Sequence, residues 1–141
     1  MTKYLFDTGF LVPAILNELP EKWYRPWKEV RSGIKTGYTI EPVIAEVYYQ
    51  LLKRGFTKDN ARNIIFQKIK TTLAIIDIDN NISISAGYYY MRFRDLKLSY
   101  TDCFLLVTAK RDRMKLYTTD SKIKRASKEL GVLCEYLPIT D

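Results

Sequence analysis

Apolar and polar positions along this chain follow two periods that alternate from one end to the other. Short apolar runs suited to buried strands fall at residues 3–6, 38–40, 73–78, 115–118 and 132–137. Segments with helical spacing lie between them. Residues 8–17 open on Thr8-Gly9-Phe10-Leu11-Val12, and residues 21–30 carry Trp23, Tyr24, Trp27 and Val30 on one side. A third helix starts at Glu41-Pro42, with Ile44, Val47, Tyr48, Leu51 and Leu52 as its apolar stripe, and ends at Gly55. Thr57 is placed to cap a helix that runs to residue 71. Residues 80–95 are ambiguous, since Ile82, Ile84 and Ala86 alternate like a strand, but the length and the Tyr88-Tyr89-Tyr90 run favour a helix. Helices are also expected at 99–113 and 122–130, the latter closed by Gly131. Strands alternating with helices predict an α/β fold, with a mainly parallel sheet of four to five strands covered on both faces. No repeat, linker or low-complexity tract divides the sequence, so a single domain over residues 1–141 is expected.

One stretch does not fit a purely structural pattern. Leu98-Ser99-Tyr100-Thr101-Asp102-Cys103-Phe104-Leu105-Leu106 reads as an apolar helix with a carboxylate near its front. Ser99 and Asp102 have capping-box spacing. Asp102 also shares a helical face with Leu105, Leu106 and Ala109, where a charge needs compensation. Two further acids stand just after predicted strands, Asp7 after the first and Asp120 after the fourth. Ligand sites in open parallel sheets lie beyond the carboxyl ends of the strands. Each of these acids has a plain role as a helix cap near a positive helix terminus. Brought together, however, they repel unless a cation lies among them.

Composition narrows the chemistry. The 141 residues include no histidine, which excludes Ser-His-Asp and Cys-His catalysis and imidazole-dependent zinc sites. A hard divalent cation held by carboxylates fits what remains. Cys103 and Cys134 sit in apolar surroundings and read as core thiols. The net charge of +7 favours a polyanionic partner. No apolar run reaches the ~20 residues needed to cross a bilayer, so no membrane association is expected. The opening Met1-Thr2-Lys3-Tyr4-Leu5-Phe6-Asp7 meets a carboxylate too early for a secretory signal, and a cytoplasmic protein is expected.

The order of these motifs resembles that of PIN-domain ribonucleases, most of all the VapC toxins of VapBC toxin–antitoxin systems. Tyr4-Leu5-Phe6-Asp7-Thr8-Gly9-Phe10-Leu11-Val12 is similar to the opening strand, Asp-Thr/Ser turn and apolar helix of that family. Ile44-Ala45-Glu46-Val47-Tyr48-Tyr49 resembles its second motif, and Leu98-Ser99-Tyr100-Thr101-Asp102 its third. Leu116-Tyr117-Thr118-Thr119-Asp120 resembles the fourth. The resemblance implies a three-layer α/β/α fold and a metal-dependent endoribonuclease that is the toxin of a toxin–antitoxin pair, inhibited by a cognate antitoxin and forming a homodimer. It implies Asp7, Glu46, Asp102 and Asp120 as catalytic residues, with Asp7, Asp102 and Asp120 binding Mg²⁺ or Mn²⁺. Thr8, Thr118, Thr119, Lys122 and Arg125 are the accompanying candidates for holding a carboxylate or the RNA phosphate. Helical phasing places Glu46 opposite its helix's apolar stripe, so its role rests on the resemblance alone. Glu41 is a competing acid on the same helix. Lys122 stands where a common form of the fourth motif has a further acid.

The lysines and arginines around these motifs, Lys110, Arg111, Arg113, Lys115, Lys122, Lys124, Arg125 and Lys128, suit a phosphate backbone or an ordinary solvated face equally. Tyr88, Tyr89 and Tyr90 suit core or subunit packing first and base stacking second. Trp23, Tyr24 and Trp27 lie where the resemblance implies an antitoxin helix. Alternative readings are an RNA-processing PIN nuclease outside toxin–antitoxin systems and a non-catalytic PIN-like RNA- or protein-binding module. A phosphatase or receiver-type domain built on Asp7 fits less well, because Gly9 occupies the place of the second phosphatase aspartate and the first strand is not followed by paired acids.

Overall fold

The computed structural model describes residues 2–138. In chain order the elements are β1 (Lys3–Phe6), α1 (Thr8–Ile15), α2 (Tyr24–Arg31), β2 (Thr36–Ile40), α3 (Glu41–Lys53), α4 (Lys58–Ile64), β3 (Ala74–Ile76), α5 (Asn80–Arg92), α6 (Tyr100–Asp112), β4 (Lys115–Thr118), α7 (Ser121–Leu130) and β5 (Cys134–Tyr136). Short 3₁₀ turns at Glu21–Trp23 and Arg94–Leu96 lead into α2 and towards α6. The strands form one sheet in the order β3-β2-β1-β4-β5, and every pairing is parallel. The expected four to five mainly parallel strands are thus five, with no antiparallel member among the described residues.

Consecutive buried residues in β1 (Tyr4, Leu5 and Phe6) mean that both faces of the central strand are covered. Helices α1, α3 and α4 pack in one group, and α5, α6 and α7 in another. An aromatic cluster anchors the middle: Phe6 stacks on Phe10 at 4.6 Å and meets Trp27 edge-on at 5.9 Å. Trp27 is therefore a core residue, and of the aromatic trio only Trp23 and Tyr24 keep partial exposure.

The chain leaves β1 for β2 on one side and reaches β4 on the other. The strand order reverses between β1 and β4, and open parallel sheets place ligand sites at the carboxyl ends of the strands beside such a switch point. The helices that begin beside it are capped by side chains from the site's own motifs. Asp7, Ser99 and Asp120 cap α1, α6 and α7.

Residues 80–92 form the helix that the sequence favoured: Asp79 caps it, accepting from the Ile82 N–H at 2.8 Å, and Ile82, Ala86 and Phe93 turn inward at helical spacing. Two local details differ from the sequence reading. The helix expected to reach residue 71 changes to π geometry over Ile65–Ile69. β2 begins at Thr36 and contains Gly37, where a Cβ would lie 2.5 Å from Val30 and 2.6 Å from Leu73. Gly37 is a close-packing position within the strand.

Candidate active site

Asp7 follows the last residue of β1, and the extended backbone there turns directly into α1. Its Oδ1 accepts the Phe10 N–H at 2.8 Å, and its Oδ2 accepts a short hydrogen bond from the Thr118 hydroxyl. The Thr118 oxygen in turn accepts the Asp120 N–H at 3.0 Å. This fully buried threonine ties the end of β1 to the end of β4. Thr39, also buried, donates its hydroxyl to the Phe6 carbonyl at 2.8 Å and fixes the same strand end from the β2 side.

Gly9 permits the close approach between these strand ends. A Cβ there would fall 1.9 Å from the Thr119 Oγ1. Thr39 and Gly9 are site-building residues that the sequence reading did not single out for this purpose. Their available signals were a polar residue in a buried strand and a glycine immediately after Asp7-Thr8.

Asp102 sits at the third position of α6 in a complete capping box. Its N–H is accepted by the Ser99 Oγ at 3.1 Å, and its Oδ2 accepts the Ser99 N–H at 2.9 Å. Asp120 caps α7, accepting the Lys122 N–H at 2.8 Å. Glu46 reaches the site from the middle of α3, where its Oε1 accepts the Thr8 hydroxyl at 2.6 Å. The buried face of α3 is Val43, Val47 and Leu51, while Ile44, Tyr48 and Leu52 are only half-buried on one flank. The sequence stripe was centred too far towards that flank. Glu46 consequently lies on the other flank of the buried face, half-buried, and not on the far side of the helix.

The electrostatics link these acids. Burial pushes the Asp7 carboxyl up to about 7, the charge of Asp102 adds to the rise, and its bonds from Thr118 and Phe10 oppose it. Burial also raises Asp102, the Ser99 bonds oppose the shift, and the charges of Asp120 and Glu46 reinforce it. Among the described residues none of the four has a salt-bridge partner. They do not form a ready-made set of three ligands around one point; no such group of acidic or sulfur side chains occurs among the described residues. The fit to a hard divalent cation is one of donor chemistry and charge. The donors are carboxylate oxygens, with no imidazole, and they repel one another.

The other sequence candidates fall around this edge. Thr119 is half-buried beside Gly9, and Arg125 is exposed on α7. Lys122 is half-buried, with its Nζ 3.5 Å from the Lys97 carbonyl. Cys103 and Cys134 are free thiols, both pushed up to about 11 by burial; Cys103 lies in the core as expected, whereas Cys134 on β5 is only half-buried.

A parallel α/β sheet with four interacting acids at its switch point defines the class of protein. The chain belongs to the PIN domain family, whose model matches residues 4–129. No curated protein sequence matches it. Solved structures share the fold at low sequence identity. VapBC2 from Rickettsia felis, bound to a DNA fragment from its promoter, matches with a TM-score of 0.75 at 18% identity, covering 96% of this chain and 99% of that one. DNA-bound VapBC from Salmonella typhimurium gives 0.74 at 16%, covering 96% and 98%. VapC20 from Mycobacterium tuberculosis, a sarcin–ricin loop cleaving toxin, gives 0.71 at 15%, covering 98% and 99%.

Proposed function

We propose that this chain is a divalent-metal-dependent endoribonuclease that hydrolyses RNA phosphodiester bonds and acts as the toxin of a toxin–antitoxin pair. The observation that carries the catalytic reading is the group of four acids at one sheet edge, electrostatically coupled and without a salt-bridge partner among the described residues. The net charge of +7 supports a polyanionic substrate. The toxin assignment draws on the fold shared with VapBC proteins, and an antitoxin is the corresponding partner. The exposed outer stripe of α5, Ile84, Tyr88 and Met91, supports a protein contact such as a homodimer. No helix among the described residues is long and apolar enough to cross a membrane.

In this mechanism Asp7, Asp102 and Asp120 would hold Mg²⁺ or Mn²⁺, and the ion would supply polarisation of the phosphate and a lowered pKa for water. Glu46, steadied by Thr8, orients the attacking water. Thr118 fixes the Asp7 carboxyl by its hydrogen bond, and Thr119, Lys122 and Arg125 receive the RNA phosphates. Hydrolysis forms a bond from the water oxygen to phosphorus and releases the ribose oxygen, which takes a proton.

An RNA cleavage assay with Mg²⁺, with chelator, and with an Asp7→Asn/Asp102→Asn double variant tests the reading. Cleavage is expected only for the wild type with Mg²⁺. Unchanged cleavage by the double variant would overturn it. RNA binding without any cleavage by the wild type would indicate a binding module instead.

A further inference from the structure

The peptide unit that joins Phe6 to Asp7 is held from two strands at once. Its carbonyl, that of Phe6, accepts the Thr39 hydroxyl of β2 at 2.8 Å, and its N–H, that of Asp7, donates to the Tyr117 carbonyl of β4 at 3.2 Å. A trans peptide is flat and carries its C=O and N–H on opposite sides, so two bonds from opposite neighbours fix its plane. Thr39 and Phe6 are fully enclosed, and Asp7 and Tyr117 are nearly so. Burial alone does not require the Thr39 bond. Thr108 of α6 is just as buried, and its hydroxyl has no hydrogen-bond partner among the described residues. The position of Thr39 adds a second connection. It directly precedes Ile40, the cap of α3, and α3 carries Glu46. One hydroxyl therefore ties the strand end that leads into the helix of Glu46 to the strand end that leads into Asp7.

We infer that Thr39 is a positioning residue of the acidic edge: its hydroxyl holds the Phe6–Asp7 peptide so that the Asp7 carboxylate keeps one orientation before any cation binds. Thr118 grips the carboxylate of Asp7 from β4, and Thr39 grips the backbone behind it from β2. The carboxylate is also tied to the Phe10 N–H at 2.8 Å, so a rotated peptide would strain both of its bonds. Side chains that orient a metal ligand without touching the ion set its affinity, because a carboxylate held in place has less freedom to lose on binding. Thr39 touches neither the ion nor the substrate, and its whole effect runs through Asp7.

This inference rests on the metal-dependent nuclease reading, and its test separates the two. Hydrogen exchange at the Asp7 amide, followed by NMR on the intact protein in chelator, needs no metal. Thr39→Val keeps the side-chain shape and removes the hydroxyl. It should lose protection at the Asp7 amide while the amides of α5 keep wild-type rates. Mn²⁺ binding, followed by electron paramagnetic resonance, should weaken about tenfold in Thr39→Val and recover in Thr39→Ser, which retains the hydroxyl. Added to Asp7→Asn, Thr39→Val should weaken Mn²⁺ binding no further, because both changes act through one carboxylate. Thr39→Ala removes the same hydroxyl without the added methyl and carries the test if Thr39→Val does not fold. Wild-type Mn²⁺ affinity in the variant that lacks the hydroxyl, or an undiminished loss on top of Asp7→Asn, would overturn the positioning role and leave the metal reading intact. So would equal loss of protection at Asp7 and throughout α5, which would make Thr39 a general support of the core. Absence of Mn²⁺ binding by the wild type would refute the metal reading, and the exchange at Asp7 then decides the role of Thr39 by itself.

Discussion

Two groups of acids in this molecule are treated in opposite ways. Away from the candidate site, several acids are matched by cations or hydroxyl donors. Arg111 bridges both Asp79 and Asp112, Lys115 lies 3.3 Å from Glu135, and Glu29 accepts the Tyr4 hydroxyl at 3.1 Å. At the edge where β1 and β4 finish, Asp7, Glu46, Asp102 and Asp120 receive hydrogen bonds from hydroxyls and backbone N–H groups but form no salt bridge among the described residues. Hydrogen bonding orients those carboxylates without neutralising them. The first group is arranged for stability, and the second retains charge that a bound cation can use.

Loss of activity offers the strongest contrast. Removing two charges in Asp7→Asn/Asp102→Asn should lower RNA cleavage by more than about a hundredfold, measured as initial rates in Mg²⁺. Stability should move in the other direction. Asp7 has a folded-state pKa raised from 3.8 to about 7. The stability associated with its protonated form is complete below about pH 4 and is lost as pH rises through about 7. In chelator, Asp7→Asn should therefore be more stable than the wild type by about 2–4 kcal/mol at about pH 8, with the difference vanishing near about pH 4. Away from the site, Glu29→Ala should destabilise by about 1 kcal/mol, because it removes the acceptor of the Tyr4 hydroxyl. Urea melts across pH measure both. Destabilisation by Asp7→Asn at the higher pH would erase the contrast.

The smallest effect belongs to the support of Glu46. Thr8→Val removes the hydroxyl that holds Glu46 while preserving the side-chain shape. It should reduce cleavage about tenfold and change stability by no more than about 1 kcal/mol. A Thr8→Ser variant should retain most of the activity. Equal rates for Thr8→Val and the wild type would remove Glu46 from the account.

The two helices that deliver Asp102 and Glu46 show what the sequence could disclose. Asp102 was legible because it belongs to a helix start. Ser99, the three-residue spacing and the apolar run behind it are local signals, and the capping box forms as that spacing requires. Asp7 and Asp120 were legible for a similar reason, since each joins a short apolar strand to a helix. Glu46 lies in mid-helix, where its direction depends on which flank of α3 is buried. Ile44 and Tyr48 look like core residues in the sequence, yet they border an open apolar groove with Ile65 and Phe66. The true buried line passes through Val43. Gly37 and Thr39 were hidden because their roles depend on partners distant in the chain, Leu73 in one case and Phe6 in the other. The alternation of strands and helices was visible locally, but the strand order that brings Asp7 beside Asp120 is a property of the assembled sheet.

Mn²⁺ binding followed by electron paramagnetic resonance at about pH 8, where most of the Asp7 population is ionised, measures the proposed completion of the acidic edge directly. The wild type should bind Mn²⁺, and both Asp7→Asn and Asp102→Asn should weaken that binding by at least about tenfold. Mn²⁺ bound with the same affinity by the wild type and both variants would contradict the account.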